Sequence, residues 1–162
     1  MASGDTLIVF GPLNNEPPST NFATLDFRNG HPVLDFDGST NESAIFSGVM
    51  PRHYGGAGIT VYLHYAMTSD TTNDVDLDVA FERIGDQQQD IDSDGFATAQ
   101  SVDNTTVPST SGNVDVVSIA FTQAQSDNVA AGEAFRIKVT RDATNDTSTT
   151  DLELLAVELK ET

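Results

Sequence analysis

The stretch Asp90-Ile91-Asp92-Ser93-Asp94-Gly95-Phe96 holds the densest chemistry in this chain. Three carboxylates on alternate positions followed by glycine match D-x-D-x-D-G, the opening half of a calcium loop. The carboxylates can converge on one hard cation, glycine permits the sharp turn, and the Phe96 carbonyl can add a ligand. The twelfth position of such a loop is Ser101 instead of a bidentate Glu, and the flanks read as strand, so the motif is no EF-hand. Two readings follow. One is a partial Ca2+ site in a β loop at Asp90, Asp92 and Asp94, completed by Asp103 or a second loop. The other is an acidic turn whose side chains bond their own backbone.

The remaining constellations are incomplete. His31, His53 and His64 fall in separate segments, without the spacing of a zinc site. Serines and aspartates are plentiful, but no Gly-x-Ser-x-Gly elbow selects a nucleophile. Gly55-Gly56-Ala57-Gly58 lacks the lysine and following helix of a phosphate loop. Sequence leaves a glycosidase carboxylate pair open, but with no Trp and 7% aromatics a sugar-stacking cleft is disfavoured. The expectation is a protein without catalysis and without a required cofactor, Ca2+ being the single candidate. Asn41-Glu42-Ser43, Asn104-Thr105-Thr106 and Asn145-Asp146-Thr147 fit the N-glycosylation triplet, which chance supplies readily in a chain rich in Asn and Thr.

The elements that must position these residues read as strands. In Asp74 to Ile84 the apolar residues Val75, Leu77, Val79 and Phe81 alternate with Asp74, Asp76, Asp78 and Glu82. Successive strand side chains point to opposite faces, so this segment has one dry and one wet face. The same period marks Thr6 to Phe10, Ile59 to Met67 (with Ile59, Val61, Leu63 and Tyr65 on one face) and Ala134 to Arg141 (with Phe135, Ile137 and Val139 inward). Asn21 to Phe27 and His31 to Asp37 flank Arg28-Asn29-Gly30, where Asn-Gly signals a hairpin. Ser43 to Met50, Phe96 to Val102, Asn113 to Thr122 and Asp151 to Lys160 complete the set. The apolar phase slips near Val116-Val117 and again at Leu154-Leu155, which predicts a β-bulge at the first site and a phase change at the second. Gln123 to Ala131 has room for one helical turn. Eight to ten short strands with turn signals between them predict an all-β fold, an antiparallel β-sandwich of jelly-roll type.

At 162 residues the chain fits one domain. Residues 1–20 read as an N-terminal strand and Pro-rich arm, with Phe10, Pro17 and Pro18 as its expected contacts with a partner, and residues 21–162 as the sandwich. Prolines fix φ and remove ladder donors, which keeps such an arm extended. Seven Lys and Arg against 25 Asp and Glu give a net charge of −18, a field that repels nucleic acid and anionic membrane surfaces. The absence of cysteine removes disulfides and thiolate chemistry. No apolar run approaches the ~20 residues that span a bilayer. The start lacks a basic n-region, so synthesis and folding in a cytoplasm are expected.

The runs Asn15-Glu16-Pro17-Pro18-Ser19-Thr20-Asn21-Phe22-Ala23-Thr24-Leu25-Asp26 and His31-Pro32-Val33-Leu34-Asp35-Phe36-Asp37 resemble a set of small tailed-phage and environmental-virus proteins. So do Ala44-Ile45-Phe46-Ser47-Gly48-Val49-Met50-Pro51-Arg52-His53-Tyr54 and Phe81-Glu82-Arg83-Ile84. The resemblance implies a virion structural protein: a decoration, or cement, protein on the outer capsid surface. It would be trimeric and bound to the major capsid protein, with residues 1–20 bracing neighbouring subunits. The alternative is a tail or fibre module that binds a receptor or glycan, assisted by calcium at Asp90, Asp92 and Asp94 or by Tyr54, Tyr62 and Tyr65.

Overall fold

Alternation of apolar and polar residues becomes ten antiparallel strands in the computed structural model, which describes residues 4–162. They are β1 (Thr6–Phe10), β2 (Thr24–Arg28), β3 (His31–Phe36), β4 (Glu42–Val49), β5 (Ile59–Met67), β6 (Asp74–Ile84), β7 (Gln100–Thr106), β8 (Asp115–Phe121), β9 (Ala134–Arg141) and β10 (Leu152–Glu161). One sheet runs β2-β3-β10-β5-β8, with β1 also on β10; the other runs β4-β9-β6-β7. This is the expected jelly-roll-like sandwich. No helix among the described residues is long and apolar enough to cross a membrane.

The core lies between the sheets and follows from the pattern. Ile59, Val61, Leu63 and Tyr65 from β5 and Leu154, Val157 and Leu159 from β10 face Val75, Leu77, Val79 and Phe81 from β6 and Ile137 and Val139 from β9. Five phenylalanines tie the sheets together at one end: Phe10 stacks on Phe46 at 5.4 Å, and Phe81 meets Phe121 at 5.0 Å and Phe135 at 6.0 Å. Gly48 makes room for two of these rings, since a Cβ there would stand 3.1 Å from Phe10 and 3.2 Å from Phe135.

The inward phase of β9 ends on Arg141, which is wholly buried. Its Nε donates to Asp146 Oδ2 at 2.9 Å, and its terminal nitrogens donate to the carbonyls of Phe36, Ser148 and Thr150. One guanidinium thus closes that end of the sandwich by satisfying four groups, one on β3 and three in the β9–β10 loop.

Sheet edges carry unpaired N–H groups that invite other strands. Here three of them are occupied from within. The β4 edge is covered by residues 15–23: Glu16 donates to the Ile45 carbonyl at 2.7 Å, Ile45 N–H donates to Asn15 Oδ1 at 3.0 Å, and Ala23 donates to the Ser43 carbonyl at 3.1 Å. On β2 the Phe27 N–H donates to Asp26 Oδ1 at 2.7 Å, and on β8 the Val116 N–H donates to Asp115 Oδ1 at 2.9 Å. Two edge strands use the same device, an aspartate one residue earlier that takes the free donor.

Several expectations need correction. The first three residues of the expected arm lie outside the described residues. Its remainder folds back on its own sandwich. Phe10 packs in the core of its own sandwich; Pro17 is exposed and Pro18 half-buried within the segment that covers β4. β8 pairs with β5 in unbroken register from Asp115 to Phe121, so no bulge occurs at Val116-Val117. The apparent slip arises because Val114 and Val116 are apolar residues on the outer face. The phase change at Leu154-Leu155 is real: the register with β5 shifts between Leu154 and Ala156. A second shift, unforeseen, falls in β7 opposite Asp76, whose Oδ1 accepts the Asn104 N–H at 2.6 Å. The strand expected at Phe96 begins at Gln100 instead. Residues 123–131 form turns rather than a helix, because Asp127 and Asn128 take left-handed φ values of 57° and 56°.

Two outcomes are expected. Asp26→Ala with Asp115→Ala frees both edge donors and produces concentration-dependent association in light scattering, whereas Asp26→Asn with Asp115→Asn removes the same charge, keeps the acceptor and stays dispersed. Arg141→Met alone lowers unfolding free energy in urea by about 3–5 kcal/mol, and adding Asp146→Leu recovers part of it.

Candidate functional site

The outer face of the six-stranded sheet carries a depression of about 400 Å³, lined chiefly by Arg28, His31, Val33, Ala66, Glu153 and Leu155. Local structure places each of these. The turn residues Asn29 and Gly30 take φ values of 48° and 79°, which folds β2 onto β3 and sets Arg28 opposite His31. Val33 is the next outward residue of β3. Glu153 of β10 pairs with Asp35 on one side and Ala66 on the other. The bulge that follows adds Leu155 to the lining.

Arg28 is held firmly for a residue at a sheet edge. One terminal nitrogen donates to the Met67 carbonyl at 2.9 Å and forms an ion pair with Glu153 Oε2; the other lies 3.4 Å from Ser111 Oγ. Gly112 is required beneath it: φ there is +81°, and a Cβ would stand 3.0 Å from the guanidinium. Glu153 is buried by this arrangement, while Arg28 keeps part of its edge in solvent. The result is an aliphatic floor with a donor and an acceptor set side by side. Such a surface suits a ligand having apolar C–H faces and hydroxyls that both donate and accept.

A second, smaller depression of about 140 Å³ adjoins it, lined by Thr24, Asp35, Asp37, Glu42 and Asp151. Burial pushes the Asp35 carboxyl up to about 6, and the charges of Asp151, Glu153, Asp26 and Glu42 add to the effect. Its Oδ1 is buried without a partner. This side of the sheet therefore carries a negative field.

The structure separates the other residues singled out from sequence. Asp90, Asp92 and Asp94 lie exposed in the β6–β7 loop, where Asp90 Oδ1 accepts the Asp92 N–H at 3.1 Å and the Asp90 carbonyl accepts those of Ser93 and Asp94. That is the acidic-turn arrangement. Among the described residues, no group of three or more His, Asp or Glu side chains gathers as metal ligands would. Tyr54 and Tyr65 are buried, Tyr65 donating to Asp115, whereas Tyr62 is half-buried on the outer face under the Lys160 ammonium. His64 also faces outward, 3.7 Å from Glu158, and His53 is exposed in a turn. His31 alone of the histidines lines the larger depression. Sequence reasoning missed Arg28 and Glu153 because 125 positions separate them. The available signal was the scarcity of basic residues, which makes each one worth placing.

No protein-family model matches the chain, and no curated protein matches it in sequence. Solved structures do match in fold. A family 35 carbohydrate-binding module from an environmental isolate superposes with a TM-score of 0.57 at 11% identity, over 94% of this chain and 92% of the other. The C-terminal family 6 module of a marine laminarinase from Zobellia galactanivorans gives 0.55 at 9% identity, over 97% and 100%. A xylan-binding family 15 module gives 0.52 at 7% identity, over 96% and 97%. At these identities the likeness establishes the sandwich and its strand arrangement.

Asp35 generates a prediction about stability. Its folded pKa lies above the ordinary carboxylate value of 3.8, so between about pH 4 and about pH 6 the native state binds more protons than the unfolded chain. Stability from this group is present at low pH and is lost as pH rises through that window. Asp35→Asn therefore gains on the wild type by about 1 kcal/mol between about pH 4 and about pH 7, solvent screening allowed for. Melting curves at both pH values check this; a gap that stays constant contradicts it.

Proposed function

We propose that this protein is a β-sandwich binding module that holds a glycan chain across the outer face of its six-stranded sheet. The observation that carries the reading is the Arg28–Glu153 pair set beside the aliphatic floor of Val33, Ala66 and Leu155 in a depression open to solvent. A pyranose ring presents one apolar face and a rim of hydroxyls, which this surface complements group for group. The fold supports the reading, since modules of the same architecture and length are carbohydrate-binding modules. The resemblance of the sequence to tailed-phage proteins supports a place on a virion, where such a module would act as a receptor-binding element of a tail or fibre.

A decoration role on the capsid is the second reading, and one feature favours it. Leu13, Phe22, Leu25 and Phe27 are exposed around the segment that covers β4, and several of them border a depression of about 290 Å³. Exposed apolar surface of this kind suits contact with another protein. In that case the contact would be made by a folded face, since residues 15–23 are already engaged with β4.

Binding of the purified protein to immobilised xylan, β-glucan and galactan oligosaccharides tests the first reading. Arg28→Ala, checked for an unchanged fold by circular dichroism, is expected to weaken binding by about 10–100-fold, the value of a charge-assisted hydrogen bond. Retention of full affinity in that variant would move the site elsewhere. For the second reading, shells lacking the protein should take it up to a symmetry-related copy number and melt at higher temperature; no uptake removes it.

A further inference from the structure

Building on the glycan reading, we propose that the Arg28–Glu153 surface selects uncharged glycans and rejects carboxylated ones, recognising a pair of neighbouring hydroxyls. Arg28 is the one Lys or Arg among the described residues lining the depression, beside His31, and its charge is already matched by Glu153. Among the described residues its Nε–H has no partner, and the second oxygen of Glu153 has none either and is not sealed from solvent. Donor and acceptor therefore stand together. A vicinal diol meets both, because one hydroxyl accepts while the next donates.

A carboxylate would satisfy the donor alone and face the acceptor with like charge. The surroundings oppose it further. Asp26 and Asp35 point outward from β2 and β3 beside Arg28, His31 and Val33, with Glu42 and Asp151 nearby. Burial does most to displace the Asp35 carboxyl upward, and the added push from Asp151, Glu153, Asp26 and Glu42 has the sign of this field. The wider molecule reinforces it with a net charge of −18. Near a low-dielectric wall such a field reaches over about one Debye length, ~8 Å at physiological ionic strength.

The test compares oligosaccharides of equal length by calorimetry: xylose, β-glucose and β-galactose oligomers against oligogalacturonate, at low and at high salt. The proposal expects at least one neutral oligomer to bind with little salt dependence. It expects the oligogalacturonate to be at least tenfold weaker at low salt (about 1.4 kcal/mol), the gap narrowing as salt rises. The double substitution Asp26→Asn, Asp35→Asn, which leaves every residue lining the depression in place, should improve oligogalacturonate binding several-fold. Equal or tighter binding of the oligogalacturonate by the wild type overturns the selectivity while leaving glycan binding intact. Binding of none of the oligomers overturns the glycan reading itself. Because the wild-type comparison needs no variant, a substitution that misfolds does not blunt the test.

Discussion

One strand serves three partners, and much of the rest follows from how it does so. β10 bonds to β5 along its whole length on one side. On the other side it bonds to β3 through Leu152 to Leu154 and then to β1 through Val157 to Lys160. A regular strand cannot hand one edge from a partner to another without a break in the ladder, and the bulge at Leu155 stands at that handover. The break is also where the larger depression forms, for Glu153 lies just before the bulge and Leu155 within it. The arrangement that completes the sheet thus creates the surface that a ligand can reach.

Charge is the second organising constraint. Seven basic residues among 25 acids must be spent where they matter most. Arg141 is buried with Asp146, Arg83 forms two hydrogen bonds to Glu133 at the start of the β6–β7 loop, and Arg136 reaches Glu82 at 2.9 Å. Arg136 and Lys138 also sandwich the Phe96 ring at 5.1 and 4.8 Å, drawing that loop over the outer face of β9. Most of the cations therefore fasten loops and ends. Surface acids with no such partner remain, which is why the field outside the six-stranded sheet is negative.

What was legible in the sequence was whatever depends on neighbours along the chain. Period-two alternation gave β5, β6 and β9 with their inward faces, and Asn29-Gly30 gave the hairpin, because backbone twist and side-chain direction are local properties. Leu154-Leu155 announced the bulge for the same reason. Val116-Val117 misled because hydrophobicity does not say which face a valine occupies once the outer face is itself partly apolar. Phe96 misled because its ring is held by two cations from β9, forty and more positions away, rather than by a strand ladder. The Asp90 loop reads as a ligand set in sequence because composition does not show that one of its carboxylates, Asp90, bonds its own turn. Arg28 and Glu153 meet only through the order of strands, which no periodicity encodes.

The surfaces left open argue for function through a face. The β4 edge is covered by residues 15–23, and the β2 and β8 edges each have one donor taken, by Asp26 and Asp115. A partner strand that added there would first have to displace an intramolecular hydrogen bond, and it would approach a polyanion while doing so. The outer face of the four-stranded sheet is occupied in part by the β6–β7 loop through Phe96, whose neighbour Ala97 donates to the Phe81 carbonyl at 2.8 Å. Among the described residues, the six-stranded sheet has no such loop over Arg28 and His31, and Glu153 is covered by Arg28 itself. With the β4 edge covered, donors on the β2 and β8 edges taken and the other face carrying its own loop, this is the broad surface left open. Under the glycan reading, water over the ordered ion pair and the half-buried Leu155 exchanges for hydroxyls and C–H groups with little reorganisation, which is the condition for binding without a moving part.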